Sequence, residues 1–212
     1  MTVVGILAAG GTGERLGADR PKAFVVLGGR PMLDWSAEVL AQVCDRVVAA
    51  VPPGYEDEVG RVAGGASRSA SVRNALDAAP DATVAVVHDA ARPLVTCGLI
   101  DRCIEALRGA DGAVAAARVT DTVKEVDPAG RVLRTLDRAA LWAIQTPQVF
   151  RADVLRRALA VDDAALAAAT DDASLVEGVG GSVVVVEAPP DNFKVTTDAD
   201  RRRAEGILAD RC

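Results

Sequence analysis

Several scarcities narrow what this chain can be. Aromatic side chains are few: two Trp, one Tyr and three Phe among 212 residues. Any core must therefore be filled by alanine, valine and leucine, and the 50% apolar composition is enough for two or three packed layers. There is one histidine, and the four cysteines at 44, 97, 103 and 212 form no Cys-x-x-Cys pair and no His/Cys cluster. That argues against a zinc site and fits reduced, structural thiols in a cytoplasmic protein. Cationic excess is lacking too. A net charge of -6 argues against a general nucleic-acid binder, while leaving room for a local cationic pocket for a phosphorylated small molecule. No apolar run is long enough to span a bilayer. The opening "MTVVGILAAGGTG" has no cationic start and runs straight into glycines, so no secretory signal is expected.

What is present is an alternation of strands and helices. Val3 to Ala9 reads as a buried strand, and Pro31 to Val43 as a helix with Met32, Leu33, Trp35, Val39, Leu40 and Val43 on one face. Arg46 to Val51 is a second buried strand, closed by Pro52-Pro53. A helix from Arg68 to Ala79, a strand from Thr83 to Val87, a helix from Cys97 to Arg108 and a strand from Ala113 to Val119 follow. Strands that are apolar throughout, alternating with helices, predict an α/β fold with a mostly parallel sheet covered on both faces. The rhythm breaks at Thr120. "TDTVKEVDPAGRVLRTLDRAAL" alternates apolar and charged residues about a "DPAG" turn and reads as a hairpin, an excursion over about 120–140 from one domain spanning 1–212. Helices from Ala152 and Asp171, a strand from Ser182 to Val186 and a last helix after Thr197 complete the chain.

The segment "ILAAGGTGERLGADRPKAF", residues 6–24, ends an apolar strand in glycines and then supplies Arg15, Arg20 and Lys22. Gly10, Gly11 and Gly13 allow backbone N–H groups to approach an anion closely and cradle phosphate oxygens. In an open parallel sheet, ligands bind outside the carboxyl ends of the strands, where this loop lies. It is not the nucleotide P-loop, since no Gly-Lys-Ser/Thr ending follows. Nor is it the dinucleotide fingerprint, since the third glycine and the acidic residue closing the second strand are missing. A plain glycine turn with surface cations also fits these residues.

Other segments bear on that choice. "GGASRSASV", 64–72, is a second glycine turn entering a helix, where Arg68 and Ser71 suit a base or a phosphate, or an ordinary capped helix start. "HDAARP", 88–93, puts Asp89 at the end of a buried strand, a place for a Mg²⁺ carboxylate or a helix cap. His88 reads as a packed residue rather than a base. "NFKVT", 192–196, holds Lys194, by itself a surface lysine.

Taken with "DTVK", "LDRAALWAIQTPQVF", "TDDASLVE" and "NFKVTTDAD", these motifs run in order along the whole chain. Together they resemble the 2-C-methyl-D-erythritol 4-phosphate cytidylyltransferases. The resemblance implies a Rossmann-like α/β sandwich with a protruding β-arm that builds a homodimer. It also implies transfer of CMP from CTP to the methylerythritol phosphate, with release of pyrophosphate and with Mg²⁺ as cofactor. Arg15 and Lys22 match the cations on the reacting α-phosphate. Ala8, Ala9, Gly10, Gly11, Gly13, Gly65, Ser71, Asp89 and Ala90 match nucleotide-binding positions, Asp89 also the metal ligand. Arg92, Asp121 and Thr122 match positions around the sugar phosphate. Arg138 and Lys194 match the pair that positions its phosphate, Arg138 from across the dimer. One departure is plain: only "GYEDEVGRVAGG" separates Pro53 from Ala66, so the third strand is expected to be short or nearly absent. Two rivals are a cytidylyltransferase for another polyol phosphate, such as ribitol 5-phosphate, and a catalytically inactive nucleotide-sensing module. The second predicts loss of charge at a reaction position, yet Arg15, Lys22, Asp89 and Lys194 are all present.

Overall fold

In β1 (Val3–Ala8) every second side chain enters a different core. Val4 and Ile6 join one apolar cluster, and Val3 and Leu7 the other. A strand with both faces buried is the mark of a sheet between two helical layers. The computed structural model describes residues 1–11 and 20–211. After β1 come β2 (Val26–Leu27), β3 (Arg30–Pro31), α1 (Met32–Val43), β4 (Arg46–Val51), β5 (Arg61–Ala63), α2 (Arg68–Asp77), β6 (Val84–Asp89), α3 (Cys97–Ala106) and β7 (Gly112–Arg118). Then come β8 (Lys124–Val126), β9 (Val132–Thr135), β10 (Trp142–Arg151), α4 (Ala152–Leu159), α5 (Asp163–Ala168), α6 (Asp172–Gly178), β11 (Val183–Glu187) and α7 (Asp198–Ala209).

Among the described residues the main sheet has seven strands in the order β11-β7-β10-β6-β1-β4-β5. All run parallel except β10, which is antiparallel to both of its neighbours. Side chains of α2, α4, α5 and α6 share one cluster with Ile6, Val87 and Phe150. Side chains of α1 and α3 cover the other face, over Leu7, Val86 and Val149. Helix α7 packs with Leu27, Met32 and Leu94 in a third, smaller cluster. The helix starts follow local chemistry: Ser67, Thr96 and Asp171 each accept a hydrogen bond from a backbone N–H of the first turn, and Thr197 with Asp200 forms a capping box.

The structure keeps the expected alternation and changes some of its details. The strand expected at 83–87 extends to Asp89, so His88 and Asp89 are strand residues. Strand β5 has three residues, as the short segment before the second glycine turn required. Helix α5 and the small β2–β3 pair were not anticipated, and neither was β10. Strand β10 contains Pro147, which has no N–H to give a ladder and so argues against a central strand. The sheet accommodates it at a register shift between Ile144 and Gln148, with the Thr146–Pro147 peptide cis. The excursion forms the hairpin β8–β9, whose apolar side chains are uncovered within this chain: Val126 is 51%, Val132 60% and Leu133 61% exposed.

With few large side chains, the one phenyl ring at the sheet centre dictates its surroundings. Phe150 is fully buried, and a Cβ built on Gly112 would lie 2.7 Å from its ring. Gly112→Ala is expected to cost about 1–3 kcal/mol through overpacking, read as a lower urea midpoint at unchanged slope. A midpoint equal to the parent's would mean that the ring has room to move.

Candidate active site

The carboxyl ends of β1 and β6, adjacent in the sheet, open into a cleft of about 500 Å³. On its β1 side lie Ala8, Ala9, Gly10 and Gly11, and the backbone N–H of Lys22 donates to Gly11 O at 3.0 Å. The two ends of the glycine loop therefore meet, and Lys22 lines the cleft. Gly13 and Arg15, singled out in the sequence, lie outside the described residues.

The second glycine turn forms the opposite wall. Ser71 Oγ donates to Ser67 O at 2.9 Å and accepts from Gly65 N–H at 3.0 Å. Its one proton is thus spent inside the turn, and toward a ligand it offers an acceptor. Gly65 is required by space: a Cβ there would come within 2.5 Å of the Ala70 Cβ. Ala90 and Lys194 complete the set of expected residues that line the cleft.

At the floor is Asp89, 6% exposed. Arg68 Nε donates to its Oδ1 at 3.0 Å and Lys194 Nζ to its Oδ2 at 2.6 Å. Burial alone would raise the pKa of this carboxyl. The two cations reverse that and hold it well below the usual carboxylate range. Arg92 is the nearest cation to Asp89 along the chain, but the hydrogen-bonded partners come from residues 21 positions before it and 105 after it. Arg68 also donates through Nη1 to Asp172 Oδ2 at 2.5 Å.

Beneath the floor a polar chain fixes the end of β6. Asp89 N–H donates to Thr146 Oγ1 at 3.0 Å. The Thr146 hydroxyl then gives its only proton to His88 Nδ1, 3.1 Å away, which leaves His88 Nε2–H to donate to Arg92 O at 3.1 Å. The imidazole is neutral, and its burial lowers its pKa to about 4. His88 is a packed structural residue, as its sequence context suggested. Arg92 is buried and donates to Asn192 O at 2.8 Å, while Asn192 Nδ2 donates to Gln145 Oε1 and Thr146 O. Thr146, Asn192 and Asp172 are not among the residues the sequence singles out. Each lies inside one of the motifs above, "LDRAALWAIQTPQVF", "NFKVT" and "TDDASLVE", which was the signal available.

Arg138, Asp121 and Thr122 are not part of this chain's cleft. They lie exposed at the base of the hairpin, where Arg138 Nη1 donates to Thr120 O. The structure therefore gathers ten of the expected residues, Ala8, Ala9, Gly10, Gly11, Lys22, Gly65, Ser71, Asp89, Ala90 and Lys194, into one wall-and-floor arrangement. Arg92 lies buried near them, four residues from His88 and linked to it.

A cleft bounded by two glycine turns and lined by Lys22, Arg68 and Lys194 at the carboxyl edge of a parallel sheet is built for anionic phosphates. Its class is that of an α/β nucleotide-binding protein. The family model IspD, 2-C-methyl-D-erythritol 4-phosphate cytidylyltransferase, matches residues 3–210. The 2-C-methyl-D-erythritol 4-phosphate cytidylyltransferase of Nocardia farcinica is 48% identical over 98% of this chain and 94% of its own length. A bifunctional IspD/IspF enzyme of Anaeromyxobacter dehalogenans is 46% identical over 97% of this chain, which spans 57% of that longer protein. Among solved structures, the 2-C-methyl-D-erythritol 4-phosphate cytidylyltransferase of Thermus thermophilus superposes with a TM-score of 0.83 at 36% identity, covering 99% of this chain and 100% of its own. The chain belongs to the 2-C-methyl-D-erythritol 4-phosphate cytidylyltransferase family.

The buried histidine makes stability depend on pH. An unfolded histidine takes its proton near 6.5 and His88 only near about 4, so between these values the unfolded chain binds more protons. Stability should fall as the pH drops through this window, by up to about 3 kcal/mol from this group. The Asp89 shift acts lower, where its stabilisation is lost as pH falls through and below the ordinary value of 3.8. Denaturation curves of the parent and of His88→Gln between these pH values test the assignment. The variant's dependence should be flatter, and equal slopes would show that His88 is not the group responsible.

Proposed function

We propose that this chain transfers CMP from CTP to 2-C-methyl-D-erythritol 4-phosphate, forming 4-diphosphocytidyl-2-C-methyl-D-erythritol and pyrophosphate, as one nucleotidyltransferase domain in the cytoplasm. The observation that carries this is the gathering of two glycine turns, Lys22, Asp89 and Lys194 at one cleft, in a chain of this family. A phosphate oxygen of the acceptor attacks the α-phosphorus of CTP. The bond to the β-phosphate breaks and pyrophosphate leaves with its electron pair. The nucleophile is already an anion, so no general base is needed. The barrier lies in bringing anions together and in the charge that grows on the α-phosphate.

Each group then has a task. Backbone N–H groups of Gly10 and Gly11 cradle phosphate oxygens, and Lys22, with Arg15 by resemblance, meets the charge on the α-phosphate. Gly65 and Ser71 bound a pocket sized for a pyrimidine. Lys194 exchanges Asp89 for the acceptor's phosphate, and Arg92, Asp121 and Thr122 stand on the acceptor side. Asp89 fits a Mg²⁺ ligand: it is a single ionised carboxylate at a phosphate cleft, the modest protein share that Mg²⁺ takes when phosphates and water supply the rest. When bound, the metal neutralises phosphate charge.

The exposed apolar face of the hairpin supports a homodimer. A lone two-stranded hairpin is marginal in water, and a second copy about a two-fold axis would cover Val126, Val132 and Leu133. Arg138 at its base then serves the neighbour's site.

Pyrophosphate release with CTP, Mg²⁺ and either methylerythritol phosphate or ribitol 5-phosphate tests the activity, with turnover expected on the first. Preference for the second would reassign the acceptor. Lys22→Ala should lower kcat by orders of magnitude in a folded protein, since the side chain acts on transition-state charge. The shared site is tested by mixing Lys22→Ala and Arg138→Ala chains, each inactive alone. One site of the mixed dimer carries both defects and the other neither, so activity should return toward half of wild type per exchanged dimer. Mixed dimers as inactive as their parents would confine Arg138 to its own chain.

A further inference from the structure

One group beside the cleft has no role in the chemistry above. Asp172, the first residue of α6, is completely buried, and its one hydrogen-bonded side-chain oxygen accepts from Arg68 Nη1. It is too deep to touch a substrate. Arg68 is the first residue of α2 and lines the cleft, so a single guanidinium bridges carboxylates from β6 and α6. Stability is a weak reason for such a group, because buried ion pairs repay their desolvation only narrowly and apolar replacements often do as well.

The geometry points to a division of labour between the two cations on Asp89, and we infer that Asp172 is a positioning residue that keeps Arg68 on Asp89 and off the bound triphosphate. Lys194 is the more exposed cation, at 40% of its side chain, and among the described residues Asp89 is its one ion-pair partner. Arg68, at 28%, is held at two points by two carboxylates. An arriving phosphate therefore draws Lys194 away, while Arg68 stays. Asp89 keeps one fixed donor, so its carboxylate holds its direction while Lys194 is transferred. Among the described residues, Arg68 Nη2 and Asp172 Oδ1 are both buried without a hydrogen-bond partner, which leaves the pair capacity to tighten into a two-point fork as Lys194 departs. Without Asp172 the guanidinium would be a tethered cation beside a triphosphate. It would bind the ground state, and Asp89 would lose its support.

This inference rests on the cytidylyltransferase reading of the cleft, and its test separates the two. Asp172→Asn keeps the size of the side chain and removes the charge. Its kcat should fall at least about tenfold while KM for CTP stays level or drops, the signature of lost positioning with gained ground-state binding. Calorimetric titration with CTP should show affinity equal to or tighter than that of wild type. Arg68→Lys keeps a charge but cannot bridge both carboxylates, and should lose kcat to a similar degree. The double variant should be no worse than the poorer single one, because the two residues act as a unit. Wild-type kcat in folded Asp172→Asn or Arg68→Lys would overturn the proposal, as would a raised KM with unchanged kcat or additive losses in the double variant. If Asp172→Asn does not fold, Arg68→Lys alone decides, by the same split between kcat and KM. Failure of the underlying reading looks different: the wild-type protein would release no pyrophosphate, whatever residue stands at 172.

Discussion

The site depends on one buried negative charge. Asp89 ends β6 on the cleft floor, where burial opposes its ionisation, and it remains charged because Arg68 and Lys194 close on its two oxygens. Those cations arrive on the first residue of α2, just after the second glycine turn, and on the loop before α7, so a single carboxylate draws three distant stretches of chain to one point. Its backbone is fixed as well, through Thr146 of the antiparallel strand. Moving Asp89 would therefore disturb two sheet strands, the second glycine turn and the Lys194 loop together.

How far the sequence discloses this depends on the range of the interactions. Strands β1, β4 and β6 are apolar runs bounded by glycine, proline or charge, and their local pattern suffices to locate them. The glycine turns and Lys22 are legible for the same reason: loop, strand end and cation are neighbours in the chain. Strand β10 is not, because its reasons are tertiary. Pro147 and the polar residues before it weaken the strand pattern. Only the bonding edges of β6 and β7, one on each side, make that segment extended. Helix α5 is a six-residue alanine-rich turn whose one fully buried side chain, Leu166, joins a cluster built by other elements.

The same distinction governs the site. Ser71 and Asp89 could be selected as chemical groups, but their working state comes from partners that no spacing discloses. The Ser71 hydroxyl is committed to Ser67, and Asp89 faces Arg68 rather than pairing with nearby Arg92. Asp172 stands within "TDDASLVE", but nothing in that motif discloses its partner, since the guanidinium it holds lies 104 residues earlier. The hairpin shows the converse. Its alternation is plain in the sequence, yet the side chains this pattern would bury stand in solvent in a single chain.

The placement of β10 also has a consequence during synthesis. Strand β6 can pair with β1 as soon as residue 89 has emerged, but its other edge waits for residues 148–151. While the intervening chain is being made, a strand that opens with four apolar residues, Val84 to Val87, stands open beside the nascent sheet, an arrangement prone to pairing with a foreign strand. The hairpin and α3 are translated in that interval, and only after it does the polypeptide return to close the gap. The late strand that seats Thr146 under the cleft is thus also the one that seals the half-made protein against aggregation.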